Sequence, residues 1–81
     1  MHKIVKAEYS GGYRLWIRFD DGREGIVDLE NELWGPVFEP LQDIERFRRF
    51  KISPVSHTII WEPNADLAPE YLYQQLEPAG K

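Results

Sequence analysis

Three groups of residues in this chain have the types and spacing that chemistry could use. His57 stands between Ser56 and Thr58, which pairs hydroxyls with a base. Carboxylates recur at Asp20 and Asp21, and again at Asp28, Glu30 and Glu32, the raw material of acid–base catalysis. Arg46, Arg48, Arg49 and Lys51 form a cationic island interleaved with Phe47 and Phe50. Guanidinium forks there could bind carboxylate or phosphate, and the rings could stack a base.

Each group also has a plainer explanation. Side chains of adjacent residues seldom converge, so Ser56–His57–Thr58 reads as a solvated turn rather than a site of several convergent groups. Catalytic carboxylates must face each other, with their pKa values driven apart by burial. Asp20-Asp21-Gly22 fits hairpin chemistry instead, and the series at 28–32 fits the solvent face of a strand exit. The chain has two histidines, His2 and His57, and neither has a partner at helical metal-ligand spacing. With no cysteine, disulfides and thiolate zinc sites are excluded. No glycine-rich phosphate loop is present. The sequence therefore predicts no enzyme, no cofactor and no metal site.

Binding is the remaining class. Net charge is −4, against the basic excess that general nucleic-acid binding needs. The distribution is uneven. Glu24 to Glu45 holds seven acidic residues and no basic one, Arg46 to Lys51 holds four basic residues, and Ile52 to Gly80 holds four acids and no base. The island is thus either a binding patch or a solvated face paired with Asp43, Glu45 and the acidic run. Arg14, Trp16 and Arg18 make a second candidate. They share one face of an alternating segment, where an uncovered Trp flanked by Arg would form an interface hot spot.

The elements that carry these residues follow from periodicity. Residues 4–9 read as a strand, Ser10-Gly11-Gly12 as a turn, and 13–19 alternate, with Tyr13, Leu15, Ile17 and Phe19 opposite Arg14, Trp16 and Arg18. Asp20-Asp21-Gly22 turns the chain into a third strand at 23–29, giving an antiparallel meander. Leu33, Trp34, Val37, Phe38 and Leu41 are expected to tuck under the sheet as short turns around Gly35-Pro36 and Pro40. Asp43 caps a helix at 44–48, with Ile44 and Phe47 on one face. Phe50 and Ile52 belong to a fourth strand and Thr58–Trp61 to a central fifth. After a loop at 62–67, Pro69 and Glu70 open a last helix that sets Leu72 and Leu76 on the sheet, and 78–81 fray. The fold class is α+β: a meander of about five strands with short helices and a C-terminal helix packed on the sheet. Residues 1–81 form one domain. In place of staples, three Trp, four Phe and four Tyr supply buried area. No run of apolar residues is long enough for a membrane span, and no signal peptide is legible, so the expected location is cytoplasmic.

Several phrases occur together in order. They are Phe19-Asp20-Asp21-Gly22, Asp28-Leu29, and Phe38-Glu39-Pro40-Leu41-Gln42-Asp43 with Phe47, then Ile60-Trp61 and Asp66-Leu67-Ala68-Pro69-Glu70-Tyr71-Leu72-Tyr73. In these the chain resembles the DUF2442 family of small bacterial proteins over nearly its whole length. The resemblance implies an α+β fold and no established enzymatic activity. It also implies a protein partner encoded by an adjacent gene, in an arrangement like a toxin–antitoxin pair. Some relatives carry a following helix-turn-helix domain; residues 1–81 have no counterpart, so DNA binding by that route is not expected. Where the family has a glycine, this chain has Asn64, the residue best able to replace Gly at positive φ. The leading expectation is a protein-interaction or regulatory module that uses Arg46, Arg48, Arg49, Lys51, Arg14, Trp16 and Arg18, with a homodimer also possible. The alternative is a nucleic-acid-binding regulator acting through Arg46–Lys51.

Overall fold

The computed structural model describes residues 2–62 and 65–76. Three strands, β1 (Ile4–Tyr9), β2 (Arg14–Phe19) and β3 (Glu24–Asp28), pair antiparallel in the order β1-β2-β3. The alternation in β2 sets the sheet's two faces: Leu15, Ile17 and Phe19 are buried, while Arg14 and Arg18 face solvent. Gly22 takes φ +88° in the β2–β3 hairpin, a conformation that costs glycine little. The register shifts between Ile4 and Lys6, and Val5 at this bulge is exposed.

Beyond β3 the chain makes a 3-10 turn (Glu30–Glu32), a one-turn helix α1 (Gly35–Phe38), a second 3-10 turn (Glu39–Gln42) and α2 (Ile44–Phe47). The Asp43 carboxylate accepts from the Glu45 backbone N–H at 3.0 Å, capping α2 as its position before Ile44 requires. A second antiparallel sheet follows, with β5 (Ile59–Trp61) between β4 (Lys51–Ile52) and β6 (Ala65–Asp66). Helix α3 (Pro69–Gln75) begins on Pro69 and buries Leu72, with half-buried Leu76 against the core.

The α+β class and the N-terminal meander match the sequence-based expectation, with six strands in two sheets among the described residues rather than about five in one. β5 is central, as its apolar run suggests. β6 falls in the segment read as a loop, because two residues carry no periodicity. Phe50 lies just ahead of β4 rather than in it. Asn64 and residues 78–81, singled out in the sequence, lie outside the described residues.

One core joins the two sheets. Phe47 is fully buried at its centre, with ring centroids 6.3 Å from Tyr9, 5.4 Å from Tyr13 and 5.6 Å from Trp61. The Trp61 indole N–H donates to the Phe47 carbonyl at 2.8 Å, so this buried donor is satisfied. The Tyr13 hydroxyl donates to the Gln42 carbonyl, fastening the second 3-10 turn to the meander. His57, with φ 57°, donates its backbone N–H to the Ser53 carbonyl, and its own carbonyl accepts from Ile4, both at 2.9 Å. The histidine read from sequence as a turn residue thus closes a turn and ties β1 to the second sheet. The Thr58 hydroxyl donates to the Leu67 carbonyl at 2.6 Å.

The C-terminal helix is anchored to the β2–β3 hairpin by a polar contact. The Tyr73 hydroxyl donates to Asp21 Oδ2 at 2.7 Å, while Oδ1 accepts from the Arg23 N–H at 2.9 Å. These bonds, that of Tyr73 foremost, hold the Asp21 carboxyl below its usual range; the same contact, with burial, raises the Tyr73 phenol. Because the folded Asp21 pKa is depressed, its contribution is present above the ordinary carboxylate pKa and is lost as pH falls through the folded value. Tyr71 is shifted from 10.0 up to about 12, first by burial and then by the Glu32 carboxylate. Its contribution is complete below the ordinary phenol pKa and disappears as pH rises through about 12. Tyr71→Phe is therefore expected to remove the step near pH 12 from an ultraviolet titration of the phenols. A titration that keeps that step would refute the assignment.

Candidate interaction site

The sequence places the two arginine groups on different parts of the fold. Arg14, Trp16 and Arg18 lie on the outer face of the meander, across from Asp28, Ile26 and Glu24 on β3. Arg18 grips Glu24 with its Nη2 at 2.7 Å and its Nε at 2.8 Å; Arg14 Nε stands 3.5 Å from Asp28. Trp16 is half-buried, but strand neighbours and cations shield it: the Arg18 guanidinium lies 5.4 Å and the Lys6 ammonium 5.9 Å from its ring. Lys6, Glu8, Arg14, Arg18, Glu24 and Asp28 around it are all exposed, so this face is open to solvent. Trp16 is therefore neither a core residue nor a bare one.

The cationic island divides. Arg46 and Arg49 are three residues apart at the end of α2, where the Arg49 N–H bonds the Arg46 carbonyl, and this spacing sets both on one side. Together with Lys51 they border a cleft of about 490 Å³. Arg48 lies off that line, its guanidinium 4.9 Å from the Tyr9 ring. The four cations of the run therefore do not form one patch: three border the cleft and one covers an aromatic.

The cleft has an apolar lining of Val37, Pro40, Leu41, Trp61 and Ala65, with Glu62 at its rim beside Lys51. Lys51 pairs with Glu62 at 3.0 Å. Arg46 reaches Asp43 only at 3.9 Å, and Arg49 has no ion pair among the described residues. Val37 also walls a second hollow of about 350 Å³, formed with Glu32, Trp34, Pro36, Phe38 and Leu67, so the two depressions adjoin at this residue.

Trp34 is the residue that sequence reasoning misplaced. It was expected under the sheet with Leu33, Val37, Phe38 and Leu41. Leu33 and Leu41 are buried and Phe38 is half-buried, but Trp34 is 72% exposed and Val37 39%. Trp34 is extended (φ −134°, ψ 164°), and Gly35 at φ +86° then turns the chain into α1. Leu33 (φ −90°, ψ 62°) bends the chain just before Trp34, so Trp34 stands between two bends while Leu33 alone enters the core. The adjacent apolar pair before Gly-Pro was the available signal.

A family model described as protein of unknown function (DUF2442) matches residues 4–78. The chain belongs to the DUF2442 family. No curated protein and no solved structure matches it. DUF2442 membership supports the resemblance read from the ordered phrases, including Phe38–Asp43, which runs from the edge of the Trp34 hollow past the cleft to the cap of α2. No described helix of this DUF2442 chain is long and apolar enough to cross a membrane.

Proposed function

We propose that the chain is a non-enzymatic protein-interaction module, acting in the cytoplasm on a partner encoded beside it. The observation that carries this reading is the outward Trp34, in a hollow that adjoins at Val37 a cleft bordered by arginines. Tryptophan and arginine are enriched among interface hot spots, and Trp34 is not an isolated exposed residue but shares its hollow with Pro36 and Val37, a contiguous apolar surface of the kind that interfaces cover. Regulation of that partner, in the manner of an antitoxin, is the role the family resemblance adds. The open meander face with Trp16, Arg14 and Arg18 is a secondary contact surface, where paired charges of both signs would suit a second copy of this chain.

The nucleic-acid reading draws less support. Arg48 faces away from the cleft that Arg46, Arg49 and Lys51 border, and net charge is −4.

The test is affinity capture from the native cytoplasm after nuclease treatment, comparing wild type with Val37→Asp. Val37 is exposed, so the variant is expected to keep its circular dichroism while losing a stoichiometric protein that wild type retains. A wild type that retains no protein, or an Asp variant that retains it equally, would defeat the proposal.

A further inference from the structure

We infer that the cleft and the hollow adjoining it at Val37 receive an acidic peptide segment of the partner, with an apolar side chain beside Trp34 and carboxylates on Arg46 and Arg49. This rests on the interaction-module reading and names the chemistry of its ligand. Two features select it.

The first is unspent positive charge. Arg46 has only a distant carboxylate, since one oxygen of Asp43 caps α2 and the other is 3.9 Å away. Arg49 has no ion pair among the described residues. Two guanidinium groups on one side of a cleft offer paired donors, a geometry that matches carboxylate oxygens. Lys51 is already held by Glu62 and contributes less.

The second is the apolar lining that the cations border. Leu41, Trp61 and Ala65 form the protected part of the cleft, and the Trp34 hollow adjoins it at Val37. A purely ionic ligand would leave that surface wet; a segment with an aliphatic or aromatic anchor would cover it. Carboxylates argue against a nucleic acid. Glu62 lines the cleft and Glu32 the hollow, so a strand bearing a phosphate at each step would meet acids as well as arginines. A peptide can place its acids only where the guanidinium groups are. Peptide ligands of this kind combine anchor pockets with a few charged contacts.

The experiment pans a display library of random dodecapeptides on the wild-type chain, on Arg46→Ala/Arg49→Ala and on Trp34→Ala. Both arginines and Trp34 are exposed, so all three proteins are expected to fold, as circular dichroism checks directly. Wild type is expected to enrich sequences that set an apolar residue beside two or more Asp or Glu. Synthetic peptides with those sequences should bind the double arginine variant about tenfold to a hundredfold more weakly, the loss typical for hydrogen bonds to charged groups. Their isosteres with Asn and Gln should lose a similar factor. Enriched sequences without an acidic excess, still dependent on Trp34, would overturn the acidic ligand and leave the interaction module standing. Binding that is indifferent to Arg46 and Arg49 would do the same. No enrichment on any protein would overturn both. Displacement of the peptides by a mixed-sequence DNA duplex at stoichiometric concentration would replace the peptide with a nucleic acid.

Discussion

Phe47→Ala is expected to unfold at a markedly lower temperature than the wild-type chain. Phe47 is fully buried where both sheets and α2 meet, and three aromatic rings lie within 6.3 Å of its own. Truncating a buried Phe costs about 3–5 kcal/mol, through lost transfer energy and the cavity left behind. A chain of this length has a total stability of roughly 4–12 kcal/mol. The substitution therefore removes between a quarter and all of it. The Phe47 carbonyl also receives the Trp61 indole N–H, so movement of α2 into the cavity would break a buried hydrogen bond as well. Thermal unfolding should shift downward by at least about 12 °C, at about 4–8 °C per kcal/mol for a domain of this size. Phe47→Leu, which keeps most of the volume, should lose less than half as much. A Phe47→Ala protein within about 1 kcal/mol of wild type would mean that the two sheets are not joined through this ring.

Trp34→Ala should do the opposite, sparing the fold and abolishing the interaction. With 72% of its surface in water, Trp34 contributes little to folding, and its loss should change stability by no more than about 0.5 kcal/mol. At an interface, loss of a Trp hot spot costs about 2 kcal/mol or more, roughly thirtyfold in affinity. The measurement is calorimetric titration of the captured partner into wild type and variant, alongside thermal unfolding of both. Equal affinities would remove Trp34 from the interface. A large fall in unfolding temperature would instead assign the indole to packing. Taken with Phe47→Ala, the pair separates the residue that holds the chain together from the residue offered to something else, though both are large aromatics.

Those two residues also show where sequence is sufficient. Phe47 lies three positions after Ile44 and four after the capping Asp43, so its place on the inner face of α2 follows from helical spacing. The burial of Leu15, Ile17 and Phe19 follows from strict alternation between two turn signals. The two charges at the ends of the outer face, Arg14 and Arg18, were legible for the same reason: a strand's period admits two faces, and one was already apolar. Membership of the DUF2442 family was legible from ordered phrases spanning most of the chain.

Short-range patterns determine an element when the same local choice recurs several times. That condition held for β1 to β3, for the cap of α2 and for the Pro69 start of α3, and each could be read from sequence alone. It failed for residues 30–42, where Gly35, Pro36 and Pro40 break every period, and for the two residues of β6. There, the outward turn of Trp34 and the separation of Arg48 from Arg46 and Arg49 were decided only by tertiary structure. Bends at Leu33 and Gly35 leave Trp34 outside the core that Leu33 enters, and the approach of Tyr9 on β1 offers Arg48 a ring that lies far away in sequence. A linear run of charge records how many cations are close in the chain; which of them share a surface depends on what packs against each.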